Sequence, residues 1–453
     1  MRMVAKRGFP FVLLLVGIAL GFFLAAQWVP SVSAVPRQDY ESLEAFTNIL
    51  AIVKKNYVEE VETKNLVGGA INGMLSSLDP HSAYLTPELY KELQMDTQGR
   101  FGGLGIEITI RGGILTVVSP IEDTPAAKAG VKPGDQIFKI EDEFTKDMTL
   151  VDAVKKMRGP KGTKITISIK REGVPELINF TLMRDTIRVQ SVRSRNLEEG
   201  YGYIRLAQFQ ERSDRDLQRS LEKMAAEKSG IKGVVLDLRN NPGGLLTQAV
   251  RIADLFLDSG MIVYTEGRIE SQKQKYFAQK DGSWMDFPMV VLVNGGSASA
   301  SEIVAGALQD HKRAVVLGTK TFGKGSVQTI LPLDDSSALR LTTARYFTPK
   351  GRSIQAAGIV PDIIVESVPQ AEGKVDEKRR PGLREENLPG HLPSQQQTPN
   401  SQQEPGEKDK EKQIPSSGPT GDDSIDNDAQ LKRALDLLKS WDVFKQLVQK
   451  KAA

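Results

Sequence analysis

The segment Met289-Val-Val-Leu-Val-Asn-Gly-Gly-Ser-Ala-Ser-Ala-Ser-Glu-Ile303 joins an apolar run to a turn of small residues and then to a helical sequence. A short, uninterrupted apolar run indicates a strand buried on both faces, as in a parallel sheet covered by helices. The run Gly233-Val-Val-Leu-Asp-Leu238 has the same character and also leads into a turn. Because such strands alternate with helical stretches from Tyr201 to Glu366, we predict an α/β layered core over residues 186–366.

The turn in the first segment carries three serines, Ser297, Ser299 and Ser301, at the predicted start of a helix. A helix N-terminus offers free backbone N–H groups and a field that favours a developing oxyanion, so a serine there is a candidate nucleophile. Serines also cap helices without any catalytic role. The segment alone leaves both interpretations open, and it does not single out one of the three serines.

A nucleophilic serine needs a base, and the choice of bases in this chain is small. There is no cysteine, and the three histidines, His81, His311 and His391, lack the spacing of paired metal ligands, so neither a metal nor a cofactor is expected. His311 is predicted at the far end of the helix that Ser299 begins. The candidate base is therefore Lys324, because burial disfavours the charged ammonium form of a lysine.

Two segments identify a family. Gly296-Ser-Ala-Ser-Ala-Ser-Glu-Ile303 and Gly323-Lys-Gly-Ser-Val-Gln328 resemble the signature segments of the C-terminal processing peptidases, or tail-specific proteases, of family S41. The resemblance implies that Ser299 is the nucleophile, that Lys324 is its general base, and that Gln328 orients the amine of that lysine. It implies a serine endopeptidase that needs no cofactor.

The resemblance also implies an oxyanion hole made of two backbone amides. One is the amide of Ala300, directly after the proposed nucleophile. The other is Gly244 in the turn Asp237-Leu-Arg-Asn-Asn-Pro-Gly-Gly244, with Gly243 as the alternative. Taken by itself, Asn-Pro-Gly-Gly is an ordinary turn between a strand and a helix.

A second domain precedes the core. Short alternating strands surround one predicted helix, Leu150 to Met157, and indicate a small β-rich domain over residues 97–185. Arg100-Phe-Gly-Gly-Leu-Gly-Ile-Glu-Ile108 and Pro125-Ala-Ala-Lys-Ala-Gly-Val-Lys-Pro-Gly-Asp135 resemble the carboxylate-binding loop and a second recurrent segment of PDZ domains. This resemblance implies recognition of substrate C-termini, because converging amides bind a terminal carboxylate beside a strand edge.

The residues that would make this contact are the backbone amides around two glycines, namely Gly103, Leu104, Gly105 and Ile106. Arg158, at the end of the helix in this domain, is a candidate sensor that links the bound peptide to the catalytic domain. An arginine at such a place is also commonly a solvated surface charge.

The N-terminus predicts export. Arg2, Lys6 and Arg7 precede an uncharged run from Gly8 to Pro36, which is typical of a signal peptide, with a possible cleavage site after Ala34. The run is also long enough for an uncleaved membrane anchor. Residues 1–36 are therefore a leader of one of these two kinds, and the rest of the chain is expected in the periplasm or on the extracytoplasmic face of the inner membrane.

The remaining parts complete a multidomain α+β protein. Residues 37–96 have a helical pattern, and the sequence Leu78-Asp-Pro-His-Ser82 within them is predicted to shape this helical region. Residues 367–428, rich in Pro, Gln, Ser, Glu and Lys, are predicted to be a disordered linker. Residues 429–453 form an amphipathic helix that needs a surface to cover. The resemblance implies that such terminal helices support a homodimer.

The resemblance to PDZ domains implies that the partners are polypeptides with accessible C-termini. The formal net charge is +3, and the folded part has no basic stripe with interleaved aromatic residues, so nucleic acid is not an expected partner. Two alternatives to a Ser-Lys protease remain at this point. One is a catalytically silent PDZ scaffold that binds the tails of exported proteins, and the other is a Ser-His hydrolase that uses His311.

Overall fold

The computed structural model describes residues 37–146, 148–280, 282–366, 384–394 and 427–452. One compact unit ends at Ile71 and a second extends from Asn72 to the C-terminus. The first unit contains α1 (Arg37–Asn56) and most of α2 (Thr63–Ser76). The predicted leader, residues 1–36, lies outside the described residues, and no helix within them is long and apolar enough to cross a membrane.

The second unit begins with two elements that lead into the small β-rich domain. These are β1 (Ala83–Leu85) and α3 (Pro87–Gln98). The elements of the β-rich domain are β2 (Arg100–Gly103), β3 (Ile106–Arg111), β4 (Ile114–Pro120), α4 (Pro125–Ala129), β5 (Gln136–Ile140), β6 (Glu143–Phe144), α5 (Leu150–Met157), β7 (Lys164–Lys170), β8 (Ile178–Met183) and β9 (Asp185–Arg188).

This domain has its own hydrophobic core. Strands β3, β4, β5, β7 and β8 form an antiparallel sheet in that order, β6 pairs with β5, and β2 pairs separately with β9. Alternate residues of β7, Ile165, Ile167 and Ile169, are at most 1% exposed and pack against α5 through Ala153 and Met157. The two-residue period of a strand explains how one face of β7 supplies this core. The predicted small β-rich domain is confirmed.

The larger domain, with alternating strands and helices, follows. Its elements are β10 (Val192–Glu198), β11 (Tyr201–Leu206), α6 (Ser213–Ala225), β12 (Gly233–Asp237), α7 (Leu246–Asp254), β13 (Met261–Gly267), a 3₁₀ turn (Glu270–Gln272), β14 (Gln274–Phe277), β15 (Met289–Val293), α8 (Ala300–Asp310), β16 (Val315–Gly318), β17 (Ser326–Pro332), β18 (Ala338–Phe347), β19 (Ile363–Ile364), a second 3₁₀ turn (Glu385–Asn387) and α9 (Ala429–Ala452).

The central sheet has the order β10-β11-β12-β15-β16-β19, and every neighbouring pair except β10 with β11 is parallel. All residues of β12 and β15 are buried, as expected for strands with both faces covered. Helices α6, α7 and α8 pack on one face of this sheet. A second sheet contains β1, β18, β13 and β14, with β17 also paired to β18. The predicted α/β layered core is confirmed.

The C-terminal helix covers the other face of the central sheet. Leu431, Ala434, Leu435 and Leu438 of α9 are at most 5% exposed and form one cluster with residues of β12, β15 and β16, including Val235. The helix therefore packs on its own chain through the first part of its apolar stripe. Trp441, later in the same stripe, remains 57% exposed.

Two regions differ from the sequence-based expectation. Within 37–96, residues Ala83–Leu85 form a strand that pairs with β18, so this end of the predicted helical region belongs to the second sheet. Within the predicted linker 367–428, residues 384–394 pack on the domain, because Glu385 has hydrogen-bonding partners there and is fully buried. Residues 367–383 and 395–426 of that linker lie outside the described residues.

Candidate active site

The three candidate serines occupy different environments at the start of α8. Ser297 Oγ donates to Leu238 O at 2.8 Å and Ser301 Oγ donates to Asn241 O at 2.9 Å, and both side chains are fully buried. Ser299 is only partly buried, and its side chain makes no capping hydrogen bond to the helix. The hydroxyls of Ser297 and Ser301 thus hold the turn, whereas that of Ser299 is left for another partner.

The backbone of Ser299 has an unusual conformation. Its φ of 54° and ψ of −112° place a non-glycine residue in a sparsely populated region. Such a conformation costs on the order of 1–3 kcal/mol and persists only where the surroundings impose it. Here the Ser299 N–H donates to Glu302 Oε2 at 2.8 Å, which holds the residue at the junction of β15 and α8.

Glu302 joins the serine turn to the loop that carries Lys324. Its Oε2 atom accepts hydrogen bonds from the backbone N–H groups of Ser299 and Lys324, at 2.8 and 2.9 Å. Its Oε1 atom accepts from Thr321 Oγ1 at 2.6 Å and from the Gly323 N–H at 2.7 Å. Because one oxygen binds both amides, the backbone nitrogens of Ser299 and Lys324 lie within two hydrogen-bond lengths of each other.

The electrostatics of Glu302 reflect this position. The side chain is fully buried, and burial raises the pKa of its carboxyl to about 7, while the four donors favour the ionised form. Sequence analysis did not assign this residue a role. The signal was present, since a glutamate three residues after a serine at a helix start is the capping-box pattern. The bonds from Thr321, Gly323 and Lys324 have no local signature.

Lys324 has the environment expected of a lysine base. Burial lowers the pKa of its amine, and the positive charge of Arg340 lowers it further. The carboxylates of Glu385, Asp79 and Glu302 act in the opposite direction, in that order of strength. No hydrogen bond between Lys324 Nζ and Ser299 Oγ is formed within the described residues, so the dyad contact itself stays a prediction.

Gln328 lies on β17 but does not contact the Lys324 amine. Its Nε2 atom donates to Ser326 Oγ at 3.0 Å and to Thr342 Oγ1 at 3.3 Å. The Thr342 hydroxyl in turn donates to Asp79 at 3.1 Å. The predicted orientation of the amine by Gln328 therefore requires a different side-chain conformation from the one in this structure.

The Asp79-Pro-His-Ser82 loop lies beside the Lys324 loop. Asp79 is 4% exposed and accepts hydrogen bonds from the backbone N–H groups of His81 and Ser82 and from the Ser82 hydroxyl. Burial opposes ionisation of Asp79, but these hydrogen bonds lower its pKa overall. The prediction that this loop only shapes the helical region is too narrow, because its carboxylate is one of the charges that act on Lys324.

Two backbone amides near Ser299 are available to an oxyanion. The N–H groups of Gly244 and Ala300 donate no hydrogen bond within the described residues, whereas the Gly243 N–H is bound to Asn241 Oδ1 at 2.9 Å. Gly243 has a φ of 104°, and a Cβ atom there would lie 2.8 Å from Ser299 Cβ and 3.0 Å from Ala300 N. This geometry favours Gly244 over Gly243 as the second donor and explains why residue 243 must be glycine.

His311 lies away from the serine turn. It follows the last residue of α8, and its Nε2 atom is 2.7 Å from Met261 O at the start of β13. Its ring therefore has a structural partner at the far end of the helix, in agreement with the sequence-based expectation. Within the described part of the chain, no group of three or more acidic or histidine side chains is arranged to hold a metal ion.

The predicted carboxylate-binding loop lies between β2 and β3. Gly105 has a φ of 76°, and a Cβ atom there would be 2.3 Å from Thr124 Cβ. The carbonyls of Leu104 and Gly105 accept from the Ala126 and Ile121 amides, while their own N–H groups donate no hydrogen bond within the described residues. Gly103 ends β2 and Ile106 begins β3, so the four residues form one continuous turn.

Arg158 packs beside this loop. It follows the last residue of α5, and its guanidinium carbon lies 4.4 Å from the centre of the Phe101 ring on β2. Burial raises the pKa of Asp96 on α3, and the positive charge of Arg158 opposes that rise. Arg158 thus connects the end of α5 with β2 and α3. Whether it senses a bound peptide stays a prediction.

Comparison with known proteins agrees with this architecture. A family model described as peptidase family S41 matches residues 200–365, and a PDZ domain model matches residues 102–182. A model described as the N-terminal domain of the activating protease CtpB matches residues 23–88. The three matches follow the chain in the order N-terminal domain, PDZ domain, S41 peptidase.

Similar proteins cover most of the chain. A carboxy-terminal-processing protease of Bartonella bacilliformis is 46% identical over 83% of this chain and 88% of its own length. The carboxy-terminal processing protease CtpA of Bacillus subtilis is 39% identical over 69% of this chain and 67% of its own length. A solved structure of a photosystem II D1 C-terminal processing protease is 31% identical, covering 71% of this chain and 92% of its own, with a TM-score of 0.42.

The matches to the S41 and PDZ models identify the chain as a serine protease that contains a PDZ domain. The chain belongs to peptidase family S41, as a member of the carboxy-terminal processing proteases. It is a serine-type endopeptidase, which confirms the family and the enzyme class predicted from its sequence.

Proposed function

We propose that this protein is an exported endopeptidase in which Ser299 attacks the peptide bond and Lys324 acts as its general base. The observation that carries the proposal is the buried carboxylate of Glu302, which binds the backbone amides of both residues through one oxygen atom. The lowered pKa of the Lys324 amine supports its role, because a base must be neutral to accept a proton.

The proposed reaction begins when the neutral Lys324 amine accepts the proton of Ser299 Oγ while that oxygen attacks the peptide carbonyl carbon. This step requires a hydrogen bond between Lys324 Nζ and Ser299 Oγ, with Gln328 holding the amine. The ammonium then donates its proton to the departing amine of the substrate. A water molecule deprotonated by the same amine hydrolyses the acyl-enzyme and regenerates Ser299.

The negative charge of the tetrahedral intermediate needs fixed donors. The amides of Ala300 and Gly244 have the required free N–H groups, and Ala300 N is at the positive end of α8. Donors held in place before the reaction stabilise the developing oxyanion without reorganisation. This supports Ala300 and Gly244 as the proposed oxyanion hole.

We further propose that the PDZ domain selects substrates by their C-terminal carboxylate. The free amides of Leu104 and Gly105 and the adjacent strand β3 support a peptide that adds alongside the sheet edge. The substrates are then polypeptides with accessible C-termini, cut in or near that region. Export by the leader of residues 1–36, a membrane anchor and a homodimer are part of the same proposal.

A set of single substitutions tests the catalytic proposal. Purified wild type, Ser299→Ala, Lys324→Ala and His311→Ala are incubated with unfolded polypeptides that differ in their last residues, and products are identified by mass spectrometry. We expect cleavage by wild type and His311→Ala only. Cleavage by Ser299→Ala or Lys324→Ala would refute the dyad, and a wild type that binds C-terminal peptides without cutting any substrate would favour the PDZ scaffold.

A further inference from the structure

The segment 384–394 places a buried carboxylate beside the loop that carries Lys324. Glu385 is fully buried, and its Oε1 and Oε2 atoms lie 3.0 and 2.8 Å from His81 Nε2. Its Oε1 atom also accepts a hydrogen bond from Gln355 Nε2 at 2.8 Å. Its backbone N–H donates to Phe322 O at 3.2 Å. One residue thus contacts three separate segments of the chain, around His81, Phe322 and Gln355.

These contacts hold the lysine loop from both sides. Phe322, two residues before Lys324, accepts the Glu385 N–H. Gly325, directly after Lys324, donates its N–H to Gln355 Oε1 at 3.0 Å, and Gln355 is the residue that Glu385 binds. A Cβ atom at position 325 would lie 2.2 Å from Gln355 N, so the two backbones are in close contact. The position of the Lys324 backbone therefore depends on Glu385.

The carboxylate also acts on the amine through its charge. Among the groups that face the Lys324 amine, Glu385, Asp79 and Glu302 favour its protonated form, and Arg340 on β18 opposes it. Burial disfavours ionisation of Glu385, but hydrogen bonds from His81 and Gln355 lower the pKa of its carboxyl overall. Burying an ionised carboxylate costs free energy of desolvation, and its hydrogen bonds must offset that cost. The presence of such a group beside the lysine loop therefore indicates a role for Glu385.

The next residue provides the contrast. Glu386 has a side chain that is 44% exposed, and within the described residues its ion pairs are those with Lys320 and Arg384, at 3.6 and 3.7 Å. Exposed pairs of this kind contribute little. Two adjacent glutamates in one short turn therefore differ in a single respect that matters here: only Glu385 is buried against the lysine loop.

We propose that Glu385 is a positioning residue of the active site, whose buried carboxylate fixes the lysine loop through Gln355 and Phe322 and supplies a negative charge to the Lys324 amine. This inference rests on the proposed function of Lys324 as the base. It gives the segment 384–394 a role in catalysis, although that segment lies outside the residues that match the S41 family model. The loss of this segment removes activity even when Ser299 and Lys324 are intact.

The test compares Glu385→Gln, Glu385→Ala and the matched control Glu386→Gln in the full-length protein. The glutamine at 385 removes the charge and retains an acceptor oxygen for Gln355, while its Nε2 group replaces one of the two oxygens that face His81 Nε2. Alanine removes both the charge and the acceptor. For each variant, kcat and KM for an unfolded polypeptide are measured as a function of pH. Thermal unfolding and binding of a C-terminal peptide report whether each variant is folded.

We expect Glu385→Ala to lose on the order of 10²-fold in kcat, because small displacements of a catalytic group have effects of that size, with KM nearly unchanged. We expect Glu385→Gln to lose less and to shift the acidic limb of its pH profile to lower pH, because the amine no longer has that carboxylate to stabilise its charge. The same shift should appear in a titration of the Lys324 amine followed by NMR in a Ser299→Ala background. Glu386→Gln should match wild type throughout.

The inference is overturned if the pH profile and kcat of Glu385→Gln coincide with those of Glu386→Gln. This comparison does not need the alanine variant, so it remains decisive if Glu385→Ala fails to fold. The outcome is separate from that of the catalytic proposal. If Ser299→Ala or Lys324→Ala still cleaves, the catalytic proposal fails. If both are inactive while Glu385→Gln behaves as the control, only the role of Glu385 fails.

Discussion

The substitution Glu302→Gln removes one buried charge while it keeps the shape of the side chain. An amide has a single acceptor oxygen, whereas the carboxylate of Glu302 accepts four hydrogen bonds, two on each oxygen. If the new Nε2 takes the place of Oε2, it faces the backbone N–H groups of both Ser299 and Lys324. If it takes the place of Oε1, it faces the Gly323 N–H and the Thr321 hydroxyl.

The second orientation is the less costly one. The Thr321 hydroxyl can rotate and accept a hydrogen bond from the amide, because a hydroxyl is both donor and acceptor. The Gly323 N–H then loses its partner, and the proton of the buried Thr321 hydroxyl loses its present acceptor and must turn to another oxygen. An unsatisfied buried donor costs about 1–3 kcal/mol, so we expect the free energy of unfolding to fall by at least that amount. The first orientation leaves two backbone N–H groups, which cannot rotate, without an acceptor and costs about twice as much.

The effect on activity should be larger than the effect on stability. The bonds of Glu302 fix the distance between the Ser299 turn and the Lys324 loop, and a displacement of about 1 Å in a catalytic group lowers the rate by about 10²-fold. We expect kcat to fall by that order, with binding of a C-terminal peptide to the PDZ domain unchanged. Thr321→Val is the matched control, because it removes one donor and leaves the carboxylate and its three backbone bonds in place. It also removes the acceptor of the Ile359 N–H, so its own loss of stability is measured alongside.

Denaturant unfolding and steady-state cleavage of an unfolded polypeptide provide the two measurements. The reasoning is refuted if Glu302→Gln unfolds within about 0.5 kcal/mol of wild type, the range of ordinary surface substitutions, and keeps its kcat. A loss of activity in Thr321→Val as large as that in Glu302→Gln would also contradict it, since the hydroxyl alone would then account for the effect.

Three further predictions concern the base and two glycines. Burial lowers the pKa of the Lys324 amine, and the neutral amine is the reactive form. The kcat should therefore rise with pH and level off below the pH range in which exposed lysines titrate. A flat pH profile of kcat from mildly acid to alkaline conditions would contradict a lysine base. Gly243→Ala should lower kcat by about 10²-fold or more without loss of peptide binding to the PDZ domain, because the new Cβ lies 2.8 Å from Ser299 Cβ at a φ of 104°. A kcat within a few fold of wild type would show that the serine turn tolerates this contact. Gly105→Ala should weaken binding of a C-terminal peptide by about tenfold or more, measured by calorimetry, because its Cβ lies 2.3 Å from Thr124 Cβ. Gly112→Ala, with a similar positive φ of 58° and no atom within 4 Å of the new Cβ, is the control and should bind normally. Equal affinities of the two variants would contradict the assignment of this loop to carboxylate binding.

Local patterns predicted the elements well where the physical signal was local. The helix Leu150–Met157 and the strand Met289–Val293 have the bounds expected from the sequence, because amphipathic period and continuous apolar character depend on neighbouring residues. The order of the small β-rich domain and the α/β core followed from the same patterns, whereas the leader of residues 1–36 stays a prediction. The prediction for residues 37–96 was incomplete, because the strand Ala83–Leu85 depends on its partner β18, more than 250 residues away in sequence.

The sequence predicted which residues belong to the candidate site, but it did not predict the hydrogen bonds that join them. The signature segments singled out Ser299 and Lys324, and the structure brings their backbones together on Glu302. The hydrogen bond between His81 and Glu385 joins residues that are 304 positions apart, so no local period or motif indicates it. The polar composition of the tract around Glu385 predicted disorder. Composition carries no information about distant partners, and Glu385 is held by Phe322, Gln355 and His81.

The sequence by itself determined the family, the types of the domains and the residues proposed for catalysis, because each depends on short segments whose chemistry is complete within a few neighbours. Only the tertiary structure decided which carboxylates surround the Lys324 amine, which amides near Ser299 are free, and which surface the C-terminal helix covers. Those properties depend on burial and on hydrogen bonds between distant segments, and both come into existence only when the chain has folded.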